Sequence, residues 1–353
     1  MPLVAYKDLP TFKRLQEEGR TVLPPDRAES QEIRELHIGL LNMMPDAALQ
    51  ATERQFFRLV GESNKIAQFY VHPFTLPELE RGEEAKRYIA QYYEPFDQLK
   101  ADGLDALIIT GANVSDPDLT QAPFWDPLQD VMNWAWDNVT STLCSCLATH
   151  AVMQFQYNQA RSPLKKKRWG VYPHKVQDRH HPLMRGVNTV FDVPHSRHNN
   201  ISRKQFEDSG LNVLAASKKG DVHMAVSPDG FRQLLFQGHP EYDTISLYKE
   251  YKREALLFAE KECSKYPPFP ENYMDDDVQH LMKTLKKAIK RGQTDWPVTD
   301  DDMRDALENS WGDSARSIIG NWIGLVYQIT NMDRKKPFMD TVDPRNPLAS
   351  IYS

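Results

Sequence analysis

The stretch Thr142–Asn158, TLCSCLATHAVMQFQYN, indicates the fold class of this chain. It begins as a short predicted strand, Thr142–Ser145, and continues at once as a predicted helix, Leu147–Asn158. Apolar strands that alternate with helices are typical of a parallel sheet covered on both faces. In such sheets, ligands bind at the carboxyl ends of the strands. Cys146 stands at this strand-to-helix junction, so it is a candidate functional residue.

The same alternation continues on both sides of this stretch, which predicts an α/β fold with a mostly parallel sheet. Further strands are predicted at Leu36–Leu41, Ala67–His72, Ala106–Thr110, Asn212–Ser217, Val222–Ser227 and Arg232–Gln237. Further helices are predicted at residues 48–60, at Phe124–Asn138 and from about 244 to 263.

Three segments of different composition divide the chain. Residues 1–34 are polar and contain prolines, and we expect an arm over the surface. Residues 35–265 form the predicted α/β catalytic domain, and residues 266–353 a helical C-terminal extension that packs on it. The extension includes an amphipathic helix at residues 314–330, whose apolar face must pack on the main body or on another subunit.

The composition argues against several classes of protein. Hydrophobic residues make up 40% of the 353 residues and charged residues 26%, which is enough for a packed core and unlike a disordered chain. A formal net charge of −6 argues against a dedicated nucleic-acid binder. No apolar run approaches the ~20 residues of a membrane helix, and the first residues lack the apolar segment of a secretory signal. Cys144, Cys146 and Cys263 cannot form a disulfide framework, so we expect a soluble, cytoplasmic protein with reduced thiols.

Cys146, His239 and Glu241 form a candidate catalytic set. The amides of a first helical turn favour a thiolate at Cys146 and can donate to an oxyanion, although a buried structural cysteine is the plain alternative. His239 and Glu241 stand in FQGHPEYD, where the carboxylate can fix the imidazole tautomer. Taken alone, the motif has a plain alternative, in which His239 and Glu241 only bind each other at the surface. Together with Cys146, the motif predicts Cys-His-Glu nucleophilic catalysis. No C-x-x-C or H-x₃-H spacing is present, so no metal site is predicted.

Three other clusters are less specific. Lys165–Arg168 could hold an anionic group, although such a basic run is usually a solvated face. Pro194–Asn200 (PHSRHNN) is either a binding loop or merely a loop. Glu250 and Arg253 share one side of a predicted helix, and an intrahelical ion pair is their plain interpretation.

Several collinear segments resemble the MetA-type homoserine O-acyltransferases, also called homoserine O-succinyltransferases. They span roughly residues 25–330 and read RAESQEIRELHIGLLNMMP, TERQFFRL, FDQLKADGLDALIITGA, WDNVTSTLCSCLATHA, KKKRWGVYPH, VPHSRH, GHPEYDTISLYKEYKRE and GNWIGLVYQIT. The resemblance implies a flavodoxin-like fold related to class I glutamine amidotransferases. It also implies a ping-pong reaction of methionine biosynthesis, in which an acyl group passes from acyl-CoA to a cysteine thiol and then to the hydroxyl of L-homoserine.

The family's functional residues fall on particular positions of this chain. The resemblance implies that Cys146 is the nucleophile, His239 the general base and Glu241 its supporting carboxylate. The backbone amides of Leu147 and of Gly111 or Ala112 are expected to form an oxyanion site, because preorganised N–H donors stabilise the charge that develops in acyl transfer. The substrate-site residues implied by the resemblance are Lys167, Ser196, Glu250 and Arg253. A guanidinium suits the carboxylate of homoserine, and a carboxylate suits its ammonium group.

The expected acyl donor depends on Ser115. Glutamate at this position of the family goes with acetyl transfer and glycine with succinyl transfer. Because Ser115 is small and neutral, it leaves room for a succinyl carboxylate, and succinyl-CoA is favoured over acetyl-CoA. The family's lysine near the MMP string is replaced by Ala47. The resemblance further implies a homodimer, with L-homoserine and acyl-CoA as substrates and with no other cofactor.

Three alternatives to this function stay open. Acetyl-CoA could be the donor, or another amino-acid hydroxyl, such as that of serine, could be the acceptor. A glutaminase-type hydrolase would use the same three residues, but the expected glycines beside the nucleophile are replaced by Cys144 and Ala148. A non-catalytic binding protein would need no base beside a thiol.

Overall fold

One continuous sheet runs through the part of the chain that this computed structural model describes, residues 3–63, 67–114 and 116–352. Its strands in the described residues are β1 (Leu3–Val4), β2 (Val22–Leu23), β3 (Glu35–Leu41), β4 (Gln68–Phe74), β5 (Ala106–Ile109), β6 (Ser141–Ser145), β7 (Ser162–Val176), β8 (Val190–Asn200), β9 (Asn212–Ala216), β10 (Val222–Val226) and β11 (Gln233–Phe236).

The helices precede, connect and follow these strands. They are α1 (Pro10–Glu17), α2 (Pro25–Glu29), α3 (Asp46–Ser63), α4 (Glu83–Tyr92), α5 (Phe96–Asp102), α6 (Trp125–Asn138), α7 (Leu147–Tyr157), α8 (Arg203–Asp208), α9 (Ser246–Ala259), α10 (Asp276–Lys290), α11 (Asp300–Ala306), α12 (Gly312–Ile329) and α13 (Ala349–Tyr352). None of them, within the residues described, is long and apolar enough to cross a membrane.

The strand order is β2-β1-β4-β3-β5-β6-β11-β10-β9-β7-β8. Pairing is parallel from β2 to β11 and antiparallel from β11 to β8. The predicted mostly parallel sheet is therefore confirmed. Because β3, β5, β6 and β11 are neighbours that run in the same direction, the turns after them meet at one edge of the sheet.

Both faces of the sheet are covered by apolar layers. Along β5, Ala106 and Ile108 belong to one buried cluster, whereas Leu107 and Ile109 belong to the other. The first cluster includes α3 and α12, and the second includes α6 and α7. A central strand buried on both sides must be apolar at every position, which explains the uninterrupted run ALII.

The strands predicted from apolar runs are all present, with ends that differ by one or two residues. The helices predicted at 48–60, Phe124–Asn138, Leu147–Asn158 and 244–263 correspond to α3, α6, α7 and α9. These elements were predictable because each is either apolar throughout or apolar along one face. The boundaries of the three predicted segments stay a prediction.

The N-terminal segment differs from the predicted surface arm. β1 and β2 extend the parallel sheet beyond β4, and the helix between them buries Phe12 and Leu15. The apolar pairs that form the two strands are only two residues long. Such short pairs carry no periodicity among polar neighbours, so the pattern indicated an arm where the chain in fact forms the sheet edge.

The hairpin of β7 and β8 was also missed. Both alternatives for Pro194–Asn200 were loops, but these residues belong to β8 and pair with β7. His195, Arg197 and Asn199 are buried although they are polar. Polar side chains that face a functional interior hide the strand pattern, because the pattern is recognised by apolar residues.

The apolar stripe of the C-terminal extension packs within the same chain. Helix α12 lies against α3, and Ile318, Ile319 and Trp322 are buried in the shared cluster. The indole Nε1 of Trp322 donates to Oγ of Ser141, the first residue of β6, at 2.9 Å. This face is therefore not available to a second subunit, and the implied homodimer stays a prediction.

Candidate active site

Cys146 occupies a strained turn between β6 and α7. Its backbone has φ 52° and ψ −105°, which a residue with a side chain rarely adopts. Its N–H donates to the carbonyl of Phe236, at 2.7 Å, which fixes the turn to the end of β11. The side chain is half-buried, in contrast to that of Cys144, which is fully buried. Such a strand-to-helix elbow presents a nucleophile at the carboxyl edge of a sheet.

Cys144 is a structural residue by the same comparison. Burial raises the pKa of its thiol well above the usual range, so the sulfur stays protonated. It belongs to the apolar cluster on the α6–α7 face of the sheet.

The turn after β5 lies beside this elbow. A methyl group on the Cα of Gly111 would lie 3.5 Å from Cβ of Cys146. Leu147 is the first residue of α7, so its amide is one of the N–H groups that lack an intrahelical acceptor. Ala112 follows Gly111 and is half-buried. The arrangement brings the three predicted oxyanion residues to the neighbourhood of Cys146, and their role stays a prediction.

His239 and Glu241 form a buried hydrogen-bonded pair. Nδ1 of His239 lies 2.8 Å from Oε1 of Glu241, and the two residues are 5% and 3% exposed. Burial by itself lowers the pKa of His239, but the charge of Glu241 and the interaction with Cys146 outweigh it, and the pKa lies well above its usual value. Nε2 of His239 is buried and makes no hydrogen bond of regular geometry within the described residues. It is therefore available to the sulfur of Cys146.

A second polar cluster surrounds the carboxylate of Glu250. Ser196 donates to Oε2 at 2.6 Å and Tyr242 to Oε1 at 2.7 Å, while Nζ of Lys167 lies 3.5 Å from Oε2. Burial would raise the pKa of Glu250, but Lys167 and the two hydroxyl donors more than compensate, so its pKa lies below the usual value. Glu250 is therefore a half-buried, ionised carboxylate.

Tyr242 connects this cluster to the catalytic pair. Its ring stacks on the imidazole of His239 with centroids 4.3 Å apart and an interplanar angle of 19°. The phenol oxygen of the same residue reaches Glu250. The other neighbour, Lys167, also pairs with Glu254 at 2.7 Å and lies 3.9 Å from the ring centroid of Trp169. The structure thus brings Lys167, Ser196 and Glu250 together on the His239 side of Cys146.

Arg253 is the predicted substrate residue that lies apart from this cluster. It is exposed on α9 and lines a surface depression of about 450 Å³ together with Lys249, Lys252 and Asp300. The simple ion pair between Glu250 and Arg253 that the helical spacing suggested is wrong, because Glu250 pairs across to β7 and β8 instead.

Two other positions were singled out from the sequence. Ser115 lies outside the described residues. Ala47, where the resemblance implied a lysine, is exposed in the first turn of α3.

Arg161 and Arg197 are buried cations near Cys146 that the sequence patterns did not single out. Arg161 donates to the backbone carbonyls of Val114, at 2.9 Å, of Pro117, at 3.3 Å, and of Asp116. It therefore holds the loop on both sides of position 115. Burial lowers its pKa, and attraction to Cys146 acts in the opposite direction.

Arg197 is more deeply enclosed. It hydrogen-bonds to His195 and to Oδ1 of Asn200. Burial lowers its pKa to about 10, while Asp221 and Cys146 favour its charged form. The available signal for Arg197 was its position directly after Ser196 in the PHSR segment, whereas nothing local marked Arg161.

No group of three or more His, Cys, Asp and Glu side chains in the described ranges is arranged to hold a metal ion. The polar residues of the site are instead engaged with one another, as in the pairs of His239 with Glu241 and of Ser196 with Glu250. The arrangement can thus supply a nucleophile, a base and a buried carboxylate.

Comparison with known proteins identifies the family. A family model described as "Homoserine O-succinyltransferase" matches residues 2–332. A homoserine O-succinyltransferase of Allochromatium vinosum is 61% identical over 99% of this chain and 99% of that protein, and one of Nitrosococcus oceani is 60% identical over 99% and 98%. Among solved structures, a glutamine amidotransferase of Thermotoga maritima is similar, with a TM-score of 0.45 and 10% identity over 83% of this chain and 98% of that one. The chain therefore belongs to the homoserine O-succinyltransferase family, as the resemblance of its motifs predicted.

Proposed function

We propose that this protein transfers a succinyl group from succinyl-CoA to the hydroxyl of L-homoserine through a thioester on Cys146. One observation carries the proposal: the strained elbow of Cys146 lies beside a buried histidine that is braced by Glu241. A thiol beside such a base is the arrangement that nucleophilic acyl transfer needs. The names of the full-length relatives support the succinyl group and the homoserine acceptor.

The first half-reaction loads the cysteine. His239 accepts the thiol proton, and the sulfur of Cys146 attacks the thioester carbonyl of the donor. The carbonyl oxygen becomes an oxyanion, for which the amides of Leu147 and of Gly111 or Ala112 are the candidate donors. When the oxyanion collapses, the bond to the CoA sulfur breaks, and the imidazolium returns the proton to that sulfur. The cysteine now carries the succinyl group and the base is neutral.

The second half-reaction unloads it. His239 accepts the hydroxyl proton of homoserine, and the hydroxyl oxygen attacks the thioester carbonyl of Cys146. The bond to the Cys146 sulfur breaks, and the imidazolium protonates the sulfur. The product is the succinyl ester of homoserine. Glu241 serves both half-reactions because it fixes Nδ1 and stabilises each imidazolium.

The acceptor is proposed to bind at the Glu250 cluster. An ionised carboxylate with a neighbouring hydroxyl suits the ammonium group of an amino acid, and Tyr242 places this carboxylate next to the base. Lys167 completes the cluster. The carboxylate of homoserine is assigned to Arg253 by the resemblance, and this assignment stays a prediction.

Intact-mass measurement of the protein mixed with succinyl-CoA, without acceptor, tests the proposal. We expect a mass increase of one succinyl group, which is lost on addition of homoserine. Cys146→Ser should prevent the adduct, while the matched control Cys263→Ser should not, because Cys263 lies beyond the end of α9. Hydrolysis of glutamine without an adduct would favour the amidotransferase alternative instead. The homodimer and the cytoplasmic location stay predictions.

A further inference from the structure

The turn that carries His239 and Glu241 is fixed to the protein at both ends. At its start, the N–H of His239 donates to the carbonyl of Pro194 on β8, at 2.8 Å. Further along, the turn meets α3 on the opposite side, where the carboxylate of Asp243 accepts hydrogen bonds from Arg54 and Arg58. Asp243 is itself 7% exposed, so these are charged hydrogen bonds to a largely buried carboxylate, at the wall of a cavity of about 490 Å³ that Arg54 and Arg58 also line.

Helix α3 supplies several donors to the turn from one side. Gln55 donates to Oδ2 of Asp243, at 3.4 Å, and to Oγ of Ser246, at 2.9 Å. Arg54 and Arg58 are four residues apart, which places their side chains one above the other on the helix. The segment TERQFFRL therefore contributes a polar edge toward the turn, while its phenylalanines face the core.

The decisive contact is between Arg58 and the backbone of the catalytic acid. Nη2 of Arg58 donates to the carbonyl of Glu241, at 3.0 Å, while Nη1 pairs with Asp243. Oε1 of Glu241 is held by His239, but Oε2 is buried and has no hydrogen-bond partner in the described residues. Because the second oxygen is not held, the backbone position of Glu241 sets where its carboxylate lies.

We propose that Arg58 and Asp243, supported by Arg54 and Gln55, are positioning residues that hold Glu241 against His239. The inference rests on the proposed function in one respect, namely that His239 serves as the base for Cys146. This positioning role explains why two arginines of α3 converge on one aspartate that touches no proposed substrate group. Removing the charge of Asp243 takes away the anion that two half-buried guanidinium groups share, although Arg54 keeps its pair with Glu18, and it weakens the attachment of the turn to α3.

The pH dependence of Cys146 alkylation by iodoacetamide separates a positioning role from a structural one. When Glu241 no longer faces Nδ1, the imidazolium loses stabilisation, and so does the thiolate that is paired with it. For Asp243→Asn we expect the pH at which the alkylation rate rises to increase by about one unit, which is the size of shift that the loss of a close charged partner causes. We also expect kcat to fall at least tenfold, with little change in the KM for homoserine.

Arg58→Lys is the second variant, because it keeps the charge but cannot bridge Asp243 and Glu241 as the forked guanidinium does. We expect a shift in the same direction that is smaller. Arg316→Gln is the matched control: Arg316 lines the same cavity of about 490 Å³, but pairs with Glu62 and Asp313. Its alkylation profile should be that of the unaltered protein.

The alkylation profiles of the folded variants decide whether Arg58 and Asp243 position Glu241. An unshifted alkylation profile in folded Asp243→Asn and Arg58→Lys proteins would overturn the positioning role, even if activity fell with the folded fraction. A shifted profile supports it. The alkylation readout needs no succinyl-CoA. A shifted profile in the variants, together with no succinyl adduct on the unaltered protein, would therefore support the positioning role and refute the proposed function.

Discussion

Nδ1 of His239 lies 2.8 Å from Oε1 of Glu241, inside the protein and two residues away along the chain. Pro240 lies between them, at the turn that follows β11. The contact matters because a buried imidazole is normally neutral, whereas this one has a pKa well above its usual value. Its charged form is thus stabilised from both ring nitrogens, by Glu241 on one side and by Cys146 on the other.

Glu241→Gln should reduce kcat by about 10²–10⁴-fold, the range expected when the anion that orients a catalytic histidine becomes a neutral amide. The amide keeps the shape but no longer favours the imidazolium, so the pKa of His239 falls. Steady-state kinetics with succinyl-CoA and homoserine would measure the loss. Thermal unfolding provides the control, since a loss of activity that matched a loss of folded protein would contradict a catalytic role.

Glu250→Gln should separate the two half-reactions. Glu250 lies with Ser196 and Lys167 in the proposed acceptor site, so its charge is needed for homoserine but not for loading the cysteine. We expect the KM for homoserine to rise at least tenfold, or by about 1.4 kcal/mol of lost binding. Formation of the succinyl adduct should keep its rate.

Glu254→Gln is the matched control for this variant. Glu254 pairs with the same lysine, at 2.7 Å, and is the more exposed of the two acids. Its KM for homoserine should stay within about a factor of five, as for a partly exposed ion pair of ~1 kcal/mol or less. Equal effects of the two substitutions would show that both acids act only by holding Lys167.

Arg253→Ala tests the residue whose position agrees least with its expected role. Its guanidinium is exposed and forms no ion pair within the described residues, so it is free to turn toward a substrate carboxylate near Glu250. We expect the KM for homoserine to rise about tenfold, the value of one lost charged contact. Lys252→Ala, which removes a neighbouring cation paired with Asp300, should leave this KM unchanged. An unchanged KM in Arg253→Ala would show that Arg253 is a surface cation that does not bind homoserine.

Much of the sheet and the three catalytic candidates were predictable because they depend on local patterns. Cys146 stands where an apolar strand meets a helix, and His239 follows another apolar run. The pairing of these two turns then follows from parallel neighbours in the sheet. Local patterns in the sequence therefore predicted the strands and the candidate residues that stand at their ends.

The remaining residues depend on long-range contacts. Arg161 contacts a loop more than forty residues earlier in the chain, and Arg58 contacts a turn that follows it by 183 residues. No spacing rule connects such pairs, and an arginine gives the same signal on a solvated face. The hairpin of β7 and β8 was hidden for a related reason, since polar residues such as His195 and Arg197 stand among its buried positions and interrupt the apolar pattern.

Ser115→Glu should shift the donor preference from succinyl-CoA towards acetyl-CoA. A glutamate fills space and repels the free carboxylate of a succinyl group, while an acetyl group carries no such charge. The ratio of kcat/KM for the two donors should change at least tenfold, measured with the same acceptor. Ser115→Gly is the control that should keep the original preference. A constant ratio in Ser115→Glu would show that another position selects the donor.

The stability of the fold should fall as the pH drops below about 6.5, because several buried histidines are held neutral. Burial lowers the pKa of His174 to about 4 and that of His150 to about 3, and it holds those of His195 and His223 well below the usual value. Each such group binds protons more readily in the unfolded chain, so its stabilisation is complete above the unfolded pKa and is lost as the pH falls towards the folded pKa.

The expected loss is about 1.4 kcal/mol per pH unit for each of these histidines, starting near pH 6.5. His239 acts with the opposite sign, because its raised pKa stabilises the fold at low pH. The effect of this one histidine is smaller than the combined effect of the four buried histidines with lowered pKa values. Thermal unfolding between pH 7.5 and 5.5 would measure the slope of Tm against pH. His174→Gln removes one buried site and should reduce that slope, whereas His280→Gln, on the exposed face of α10, should not. A Tm that does not change over this range would mean that these histidines bind protons as readily in the folded protein as in the unfolded chain.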